Sequence, residues 1–243
     1  MPADFEELDY AKTPLGELIL RRRKVLSLNE VVYEVKLDGS FLMSSLVNDS
    51  EIALADLCLK HIADRASLDV AVGGLGLGYT AQAVLLNQNV QSLVVIEYLS
   101  EVIGWQTRDL IPSATKVHGD DRCRFVNGDF FALAQNPEVG LDLENPGRKW
   151  DAILVDIDHT PDYLLDPSHA SFYEQPGLSR LAEQIKPGGV FGLWSAGQPS
   201  DHTIEAIGSS FEIAEAQVVT FRNPLLNLED QNTIYVGISP RSG

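Results

Sequence analysis

Residues 68–97 constrain the fold of this chain more than any other stretch of its sequence. Asp69–Val72 is a short, partly β-branched run that predicts a strand. The glycines that follow let the backbone turn tightly with no side chain between it and a ligand, and they are Gly73, Gly74, Gly76 and Gly78. Thr80–Leu86 predicts a helix whose free N-terminal N–H groups face the same crevice. A second predicted strand, Val94–Ile96, ends at Glu97.

The spacing of the glycines and the acid indicates which nucleotide this crevice would bind. In a doubly wound sheet, an acidic residue about 20 positions beyond the glycines accepts both ribose hydroxyls, and Glu97 stands there. A dinucleotide fingerprint needs its third glycine one position later than Gly78, so NAD is disfavoured, and no P-loop is present. The segment resembles the first motif of the class I S-adenosylmethionine-binding fold. The alternative is a glycine turn that packs helix on strand without a ligand.

The composition is that of a folded protein with a strongly acidic surface. The 243 residues are 44% hydrophobic, which is sufficient for one large core. The net charge of -17 disfavours binding to nucleic acid or to a membrane surface and would attract a cationic substrate, although it could also serve solubility alone.

The cysteines and the apolar windows bear on metal binding and localisation. Cys58 and Cys123 are not part of a Cys-x-x-Cys pair, so we expect neither a disulfide framework nor a metal site. A signal peptide and a membrane span are not apparent, because the most apolar window is interrupted by glycines and polar residues. We therefore predict a cytoplasmic protein.

The order of predicted elements indicates the fold class. Strands and helices alternate after residue 49, which requires a mostly parallel sheet with helices on both faces. The predicted strands are Asp69–Val72, Val94–Ile96, Cys123–Asn127, Trp150–Val155, Val190–Trp194, Phe211–Phe221 and Asn232–Ile238, the last two antiparallel. The predicted helices are Glu51–His61, Thr80–Leu86, Ser100–Leu110, Phe130–Ala134, Phe172–Ile185 and Thr203–Gly208. We predict an α/β fold with a doubly wound, Rossmann-like sheet of seven strands.

A smaller unit precedes this sheet. Leu15–Arg22, Val31–Leu37 and Phe41–Ser45 are short strand-like runs separated by turn residues, and they predict a small antiparallel sheet. We place this N-terminal sheet domain at residues 1–48 and a nucleoside-binding catalytic domain at 49–243. Asp49-Ser50 is the predicted N-cap of the first helix.

Two further acidic segments follow predicted strands. Gly128-Asp129-Phe130 could bind an adenine, whose amino group would donate to the carboxylate while the aromatic ring packs beside the base. Asp129 could equally cap the next helix. Asp156, Asp158 and His159 follow the fourth strand, at the sheet edge where open α/β sheets place their chemistry. Strand alternation would aim Asp158 to the same side as Asp156, whereas Asp156 could also merely cap the following loop.

Together these motifs resemble the spermidine synthase (polyamine aminopropyltransferase) family. The resemblance runs from Thr13-Pro14-Leu15-Gly16 to Lys186-Pro187-Gly188-Gly189, about three quarters of the chain. The small N-terminal sheet and five motifs carry it, namely Gly73-Gly74, Val95-Ile96-Glu97, Gly128-Asp129-Phe130, Val155-Asp156 and Phe172-Tyr173.

The resemblance implies a reaction and a set of roles. In that family an amine attacks the aminopropyl carbon of decarboxylated S-adenosylmethionine, and methylthioadenosine leaves. Glu97 would hold the ribose, Asp129 the adenine, and Asp156 would orient and help deprotonate the amine. A methyltransferase-type sheet, a small cationic amine substrate and a homodimer are expected. The expected donor-site residues are Gly73, Gly74, Gly76, Gly78, Glu97, Tyr98, Gly128, Asp129, Phe130 and Asp156, and the expected catalytic residues are Asp156, Asp158 and His159.

The chain also departs from the family pattern. Gly76 occupies the position of an aspartate that grips the aminopropyl nitrogen of the donor, and the residues after Asp156 differ from the family's acceptor-binding acid. A Tyr-His-Glu motif is missing, with only Asp49 and Glu51 nearby. Two alternatives therefore stay open: a methyltransferase that uses intact S-adenosylmethionine on a small molecule, and a non-catalytic nucleoside-binding homologue.

Overall fold

The computed structural model describes residues 4–241, which form two β-sheets and the helices that cover them. The strands are β1 (Phe5–Thr13), β2 (Gly16–Val25), β3 (Glu30–Leu37), β4 (Ser40–Ser44), β5 (Leu68–Gly73), β6 (Val90–Glu97), β7 (Cys123–Asn127), β8 (Trp150–Val155), β9 (Ile185–Ala196), β10 (Ile213–Asn223) and β11 (Leu228–Ile238). The helices are α1 (Asp49–Leu59), α2 (Tyr79–Leu86), α3 (Ser100–Thr107), α4 (Ala114–Val117), α5 (Phe130–Ala134), α6 (Ala170–Tyr173), α7 (Gln175–Ala182) and α8 (Asp201–Gly208), with 3₁₀ turns at Lys60–Ile62 and Pro167–His169.

The larger sheet confirms the predicted fold class. Its seven strands lie in the order β10-β11-β9-β8-β5-β6-β7. The pairs among β9, β8, β5, β6 and β7 are parallel, and β10 and β11 are added antiparallel at one edge. This is the doubly wound sheet of the class I methyltransferase type, with its central strands buried on both faces.

Alternation along the central strands divides the core between the two faces of this sheet. Val70 and Val72 of β5 pack in one apolar cluster with Leu54 of α1, whereas Ala71 packs in the other cluster with Leu178 of α7. Helices therefore cover both faces, as the alternating order of elements predicted. No helix within residues 4–241 has the length and hydropathy that a membrane crossing requires.

The N-terminal sheet has four antiparallel strands in sequential order, one more than predicted. The additional strand is β1, which pairs along β2 and is only half-buried, so its sequence carries many charged residues and a weak strand signal. Leu18, Leu20 and Val35 of this sheet belong to the same core cluster as the central strand β5. A division into domains at residue 48 stays a prediction, and residues 1–3 and 242–243 lie outside the described range.

Three local predictions were wrong. The predicted helix Phe172–Ile185 is broken at Glu174, which is extended because Pro176, in the first turn of α7, cannot supply the N–H that a continuous helix needs. The strand predicted to begin at Val190 begins at Ile185, with an irregularity in its pairing to β8. Asn48 rather than Asp49-Ser50 is the N-cap residue of α1, and no side chain caps that helix.

Candidate active site

Two cavities meet at the carboxyl edge of the parallel strands. The first, of about 160 Å³, lies between the glycine turn after β5, the end of β6 and the N-terminal sheet. The second, of about 280 Å³, lies between α1, the end of β9 and the β10–β11 hairpin. Gly76, Ile157 and Asp156 line both cavities, so a group bound in one can reach a group bound in the other at Asp156.

Glu97 lines the first cavity at the end of β6, and the main chain holds its carboxylate in place. Oε2 accepts from the Leu75 amide at 3.0 Å, and Oε1 accepts from the Leu99 amide at 2.8 Å. Burial raises the pKa of this carboxyl group, whereas these backbone hydrogen bonds oppose the rise. The amides of Gly76 and Tyr98 also approach this carboxylate, which lines the cavity and can accept from ribose hydroxyls.

Asp129 lines the same cavity at the start of α5. Its Oδ1 accepts from the amides of Phe131 and Ala132, at 2.9 and 3.2 Å, which confirms the predicted N-cap. Because both bonds go to Oδ1, Oδ2 can still accept from an adenine amino group. Phe130 and Phe131 add aromatic surface to this wall, and the ring of His169 stacks on Phe131 with the centroids 3.9 Å apart.

Much of the remaining lining of the first cavity is apolar, and Asp156, Asp166, Ser168 and His169 are its other polar residues. Tyr98 lies at its edge, 48% exposed. The N-terminal sheet and α3 supply the remaining wall, with side chains that sequence patterns alone do not assign to a ligand site: Leu15, Leu18, Val35, Leu37, Leu42, Met43, Val102 and Trp105. The cavity thus offers Glu97 and Asp129 to a sugar and a base, and an apolar surface to an uncharged part of the same ligand.

The glycines of the turn differ in what they contact. A Cβ on Gly74 (φ +91°) would collide with the Asp156 carbonyl oxygen, which explains why only glycine fits there. Gly76 faces the Met43 thioether, which fills the space that a side chain at position 76 would enter. Gly78, at the N-terminus of α2, lines the second cavity. Gly73 packs against the Phe130 ring, and neither it nor Gly128 lines either cavity.

Asp156 lies where the two cavities join, directly after β8. Thr80 Oγ1 of α2 donates to its Oδ2 at 2.7 Å. Burial raises the pKa of this carboxyl group, and the hydrogen bond from Thr80 partly opposes the rise. Asp156 thus keeps Oδ1 available for a ligand or a proton at the junction of the cavities.

Glu51, on the first turn of α1, is a site residue that the sequence reasoning left unassigned. It lines the second cavity and is half-buried. Burial, together with repulsion from Asp156, raises the pKa of Glu51 to about 7, and a hydrogen bond from Ser50 opposes the rise. Two carboxyl groups thus face one cavity and compete for one proton or one cation.

A hydrogen-bonded chain orients Glu51. Ser50, which is buried, donates from Oγ to Oε2 of Glu51 at 2.8 Å. The same Oγ accepts from Trp194 Nε1 and from Asn232 Nδ2, both at 2.9 Å. Because β9 and β11 supply these two donors, the orientation of Glu51 depends on residues more than 140 positions away in the sequence.

The raised pKa of Glu51 should make the free energy of unfolding depend on pH. Between pH 4.5 and about 7 the unfolded chain loses this proton while the folded protein retains it, so stability falls as the pH rises through that window. Glu51→Gln carries no such proton, and we expect its stability relative to the wild type to increase from pH 5 to pH 8. Urea unfolding at both pH values measures this difference. Parallel pH profiles for the two proteins would contradict the raised pKa.

Asp158 lines the second cavity together with Asp156, but its carboxylate bonds within the protein. The strand ends at Val155, so alternation no longer applies at position 158. The Asp158 carboxylate, 3% exposed, accepts from the Leu165 amide and the Tyr173 hydroxyl and lies 2.9 Å from His169 Nδ1. These contacts favour a structural role, in which Asp158 fixes the segment after β8.

His159 lines the second cavity, and its ring stacks on Tyr163 with the centroids 5.1 Å apart. Its main-chain oxygen accepts from the Ala196 amide at the end of β9. A catalytic role for His159 stays a prediction.

The charges around the two cavities have one sign. Asp129, Glu97, Asp156 and Glu51 line them, whereas neither lining contains a lysine or an arginine among the described residues. Within residues 4–241, no group of three or more histidine, cysteine, aspartate or glutamate side chains is arranged to hold a metal ion. A cationic ligand therefore suits this site better than an anionic one.

The fold is that of the class I S-adenosylmethionine-dependent methyltransferases, and comparisons with known proteins agree with that fold. No family model matches the chain. A malonyl-[acyl-carrier protein] O-methyltransferase of Prosthecochloris aestuarii is 25% identical over 154 residues, covering 61% of this chain and 50% of that protein. The chain thus spans about half the length of this curated relative.

Solved structures share the fold over nearly the whole chain. A spermidine synthase in complex with the transition-state analogue AdoDATO superposes with a TM-score of 0.72 at 15% identity, covering 97% of this chain and 74% of that one. The spermidine synthase of Thermotoga maritima gives 0.69 at 16% identity, with the same coverage of both chains. At these identities the likeness shows the fold alone.

Proposed function

We propose that this protein transfers the aminopropyl group of decarboxylated S-adenosylmethionine to an amine. One observation carries the proposal: a cavity lined by Glu97 and Asp129 and a second cavity with an acidic floor meet at Asp156. A donor in the first and an acceptor in the second would bring their reacting atoms together beside that carboxylate, which is the proximity a transferase requires.

The charges of the site favour a decarboxylated donor. Intact S-adenosylmethionine carries a carboxylate that would extend toward Asp156 and Glu51, where no lysine or arginine of the described residues lines the cavities. Decarboxylation removes that repulsion and leaves a cationic chain that these acids attract. Glu97 and Asp129 would hold the ribose and the adenine of either donor.

The step balances without a further reactant. The lone pair of the amine forms a bond to the aminopropyl methylene carbon next to the sulfonium. The bond between that carbon and sulfur breaks, and its electron pair stays on sulfur, which yields neutral methylthioadenosine. The substituted amine gives up one proton. Asp156, fixed by Thr80, is placed to accept that proton and to orient the nitrogen as it attacks.

Methyl transfer from intact S-adenosylmethionine is a second candidate. It is favoured by the name of the curated relative and by Gly76, where the Met43 thioether lies instead of an acid that could bind a donor amine. In this case Glu97 and Asp129 would have the same nucleoside-binding roles, and the second cavity would hold the methyl acceptor.

The product distinguishes the two reactions. We expect incubation of the protein with decarboxylated S-adenosylmethionine and a panel of monoamines, diamines and polyamines to release methylthioadenosine, detected by mass spectrometry. A parallel incubation with S-adenosylmethionine should release no S-adenosylhomocysteine. Release of S-adenosylhomocysteine alone would identify a methyltransferase, and the absence of both products would support a non-catalytic nucleoside-binding protein.

A further inference from the structure

The second cavity has one place for a positive charge. Of the acids that line it, Asp156 and Glu51 expose carboxylate oxygens at its floor, whereas the Asp158 carboxylate is engaged by Leu165, His169 and Tyr173. The two floor acids belong to adjacent elements and influence each other's ionisation. They therefore form a single anionic locus.

Above this floor the described lining holds no acid, lysine or arginine, and His159 is its basic side chain. Apolar side chains come from the segment around β4, from β9 and from the β10–β11 hairpin, and they are Phe41, Leu46, Val47, Trp194, Phe221 and Leu225. The polar residues of the upper wall are Asn223 and Asn232, whose side chains bond within the protein. Among the described residues that line this cavity, no acid lies outside the floor and its neighbour Asp158.

The outer wall is exposed to solvent in the absence of a ligand. Phe41 is 56% exposed and Leu225 is 46% exposed. An apolar group placed against them would remove part of this surface from water. A second ammonium placed there would lose that apolar contact and find no anionic partner among the described residues of the outer wall.

From these walls we infer that the acceptor is a primary monoamine carrying an alkyl or aryl group, in preference to a diamine or a polyamine. This inference rests on the proposed function and narrows its substrate class. The amine nitrogen lies between Asp156 and Glu51, and the apolar group extends along Phe221 and Leu225 toward the hairpin. The nitrogen then forms the bond to the aminopropyl carbon as sulfur leaves, as described above.

A pair of amines of equal length tests the inference. With methylthioadenosine bound, calorimetry with n-hexylamine and with 1,6-diaminohexane compares an apolar end with a second ammonium on the same chain. We expect n-hexylamine to bind at least about 10-fold more tightly, since the diamine exchanges an apolar contact for a charge that has no anionic partner. Equal or tighter binding of 1,6-diaminohexane would overturn the inference.

Variants of the β10–β11 hairpin test whether this wall causes the preference between the two amines. Asn223→Asp keeps the oxygen that accepts from Leu225 and Leu226 and adds a charge to the wall, so it should raise the affinity for 1,6-diaminohexane about 10-fold. Leu226→Asp adds the same charge to the same turn, at an exposed position outside the cavity lining, and should change neither affinity by more than about twofold. Equal gains for both variants would show a general charge effect and contradict the assignment of this wall.

The apolar contact has its own matched pair. Leu225→Ala should weaken the binding of n-hexylamine several-fold. Leu226→Ala, at an exposed position outside the cavity lining, should leave that affinity unchanged. Methylthioadenosine release in the presence of each amine separates the two hypotheses. Release with the diamine as the preferred substrate would overturn this inference and leave aminopropyl transfer intact, whereas failure of every amine to bind or react would overturn both.

Discussion

Glu97→Ala is expected to weaken the binding of methylthioadenosine by ~100-fold or more. The Glu97 carboxylate is held by the amides of Leu75 and Leu99 and lines the cavity, where it can accept from the ribose hydroxyls. Hydrogen bonds to an ionised carboxylate contribute about 1.5 to 3 kcal/mol each, and two of them correspond to at least this factor. Isothermal titration calorimetry with the nucleoside measures the difference directly.

The control must separate lost binding from a disturbed glycine turn, because Glu97 also fixes the amide of Leu75. Glu97→Gln retains a carbonyl oxygen for one of the backbone amides, and we expect an affinity between those of the wild type and the alanine variant. Glu101→Ala, in the first turn of α3 and outside both cavities, should bind like the wild type. Equal affinities of wild type and Glu97→Ala would remove the nucleoside site from this crevice.

Asp156→Asn is expected to reduce the rate of methylthioadenosine formation from decarboxylated S-adenosylmethionine by about 100-fold or more, the usual contribution of a positioned acid–base group. Asparagine keeps the oxygen that accepts from Thr80 but cannot take a proton or attract an ammonium. A primary amine has a pKa near 10.4, so at neutral pH its attacking form is scarce and the loss of a proton acceptor is felt strongly.

The nucleoside affinity serves as the internal control for this variant. Methylthioadenosine contacts Glu97 and Asp129 in the proposed site, so its dissociation constant should change little in Asp156→Asn. Asp162→Asn makes the same substitution at an exposed position of the following loop and should retain full activity. An unchanged rate in Asp156→Asn would contradict the role of Asp156 and direct attention to Glu51, the other carboxylate of the floor.

Local patterns in the sequence predicted the scaffold of the site well. The β-branched strand, the glycines and the acid of residues 68–97 specify a strand, a tight turn and a second strand through backbone geometry alone, and these elements stand where they were predicted. Asp129 and Asp156 follow directly from strands, and the carboxyl ends of parallel strands meet at one sheet edge whatever the details of packing. Short-range rules therefore suffice for these positions.

The second cavity depends on contacts between distant parts of the chain. Glu51 is oriented by a hydrogen bond from Ser50, and Trp194 of β9 and Asn232 of β11 donate to Ser50 in turn. In the sequence, the same Ser50 has the signature of a helix cap, and Asp158 has that of a strand residue facing Asp156. Their roles differ because burial makes each polar group bond to whatever donor or acceptor the packed core presents, and only the tertiary structure determines which one that is.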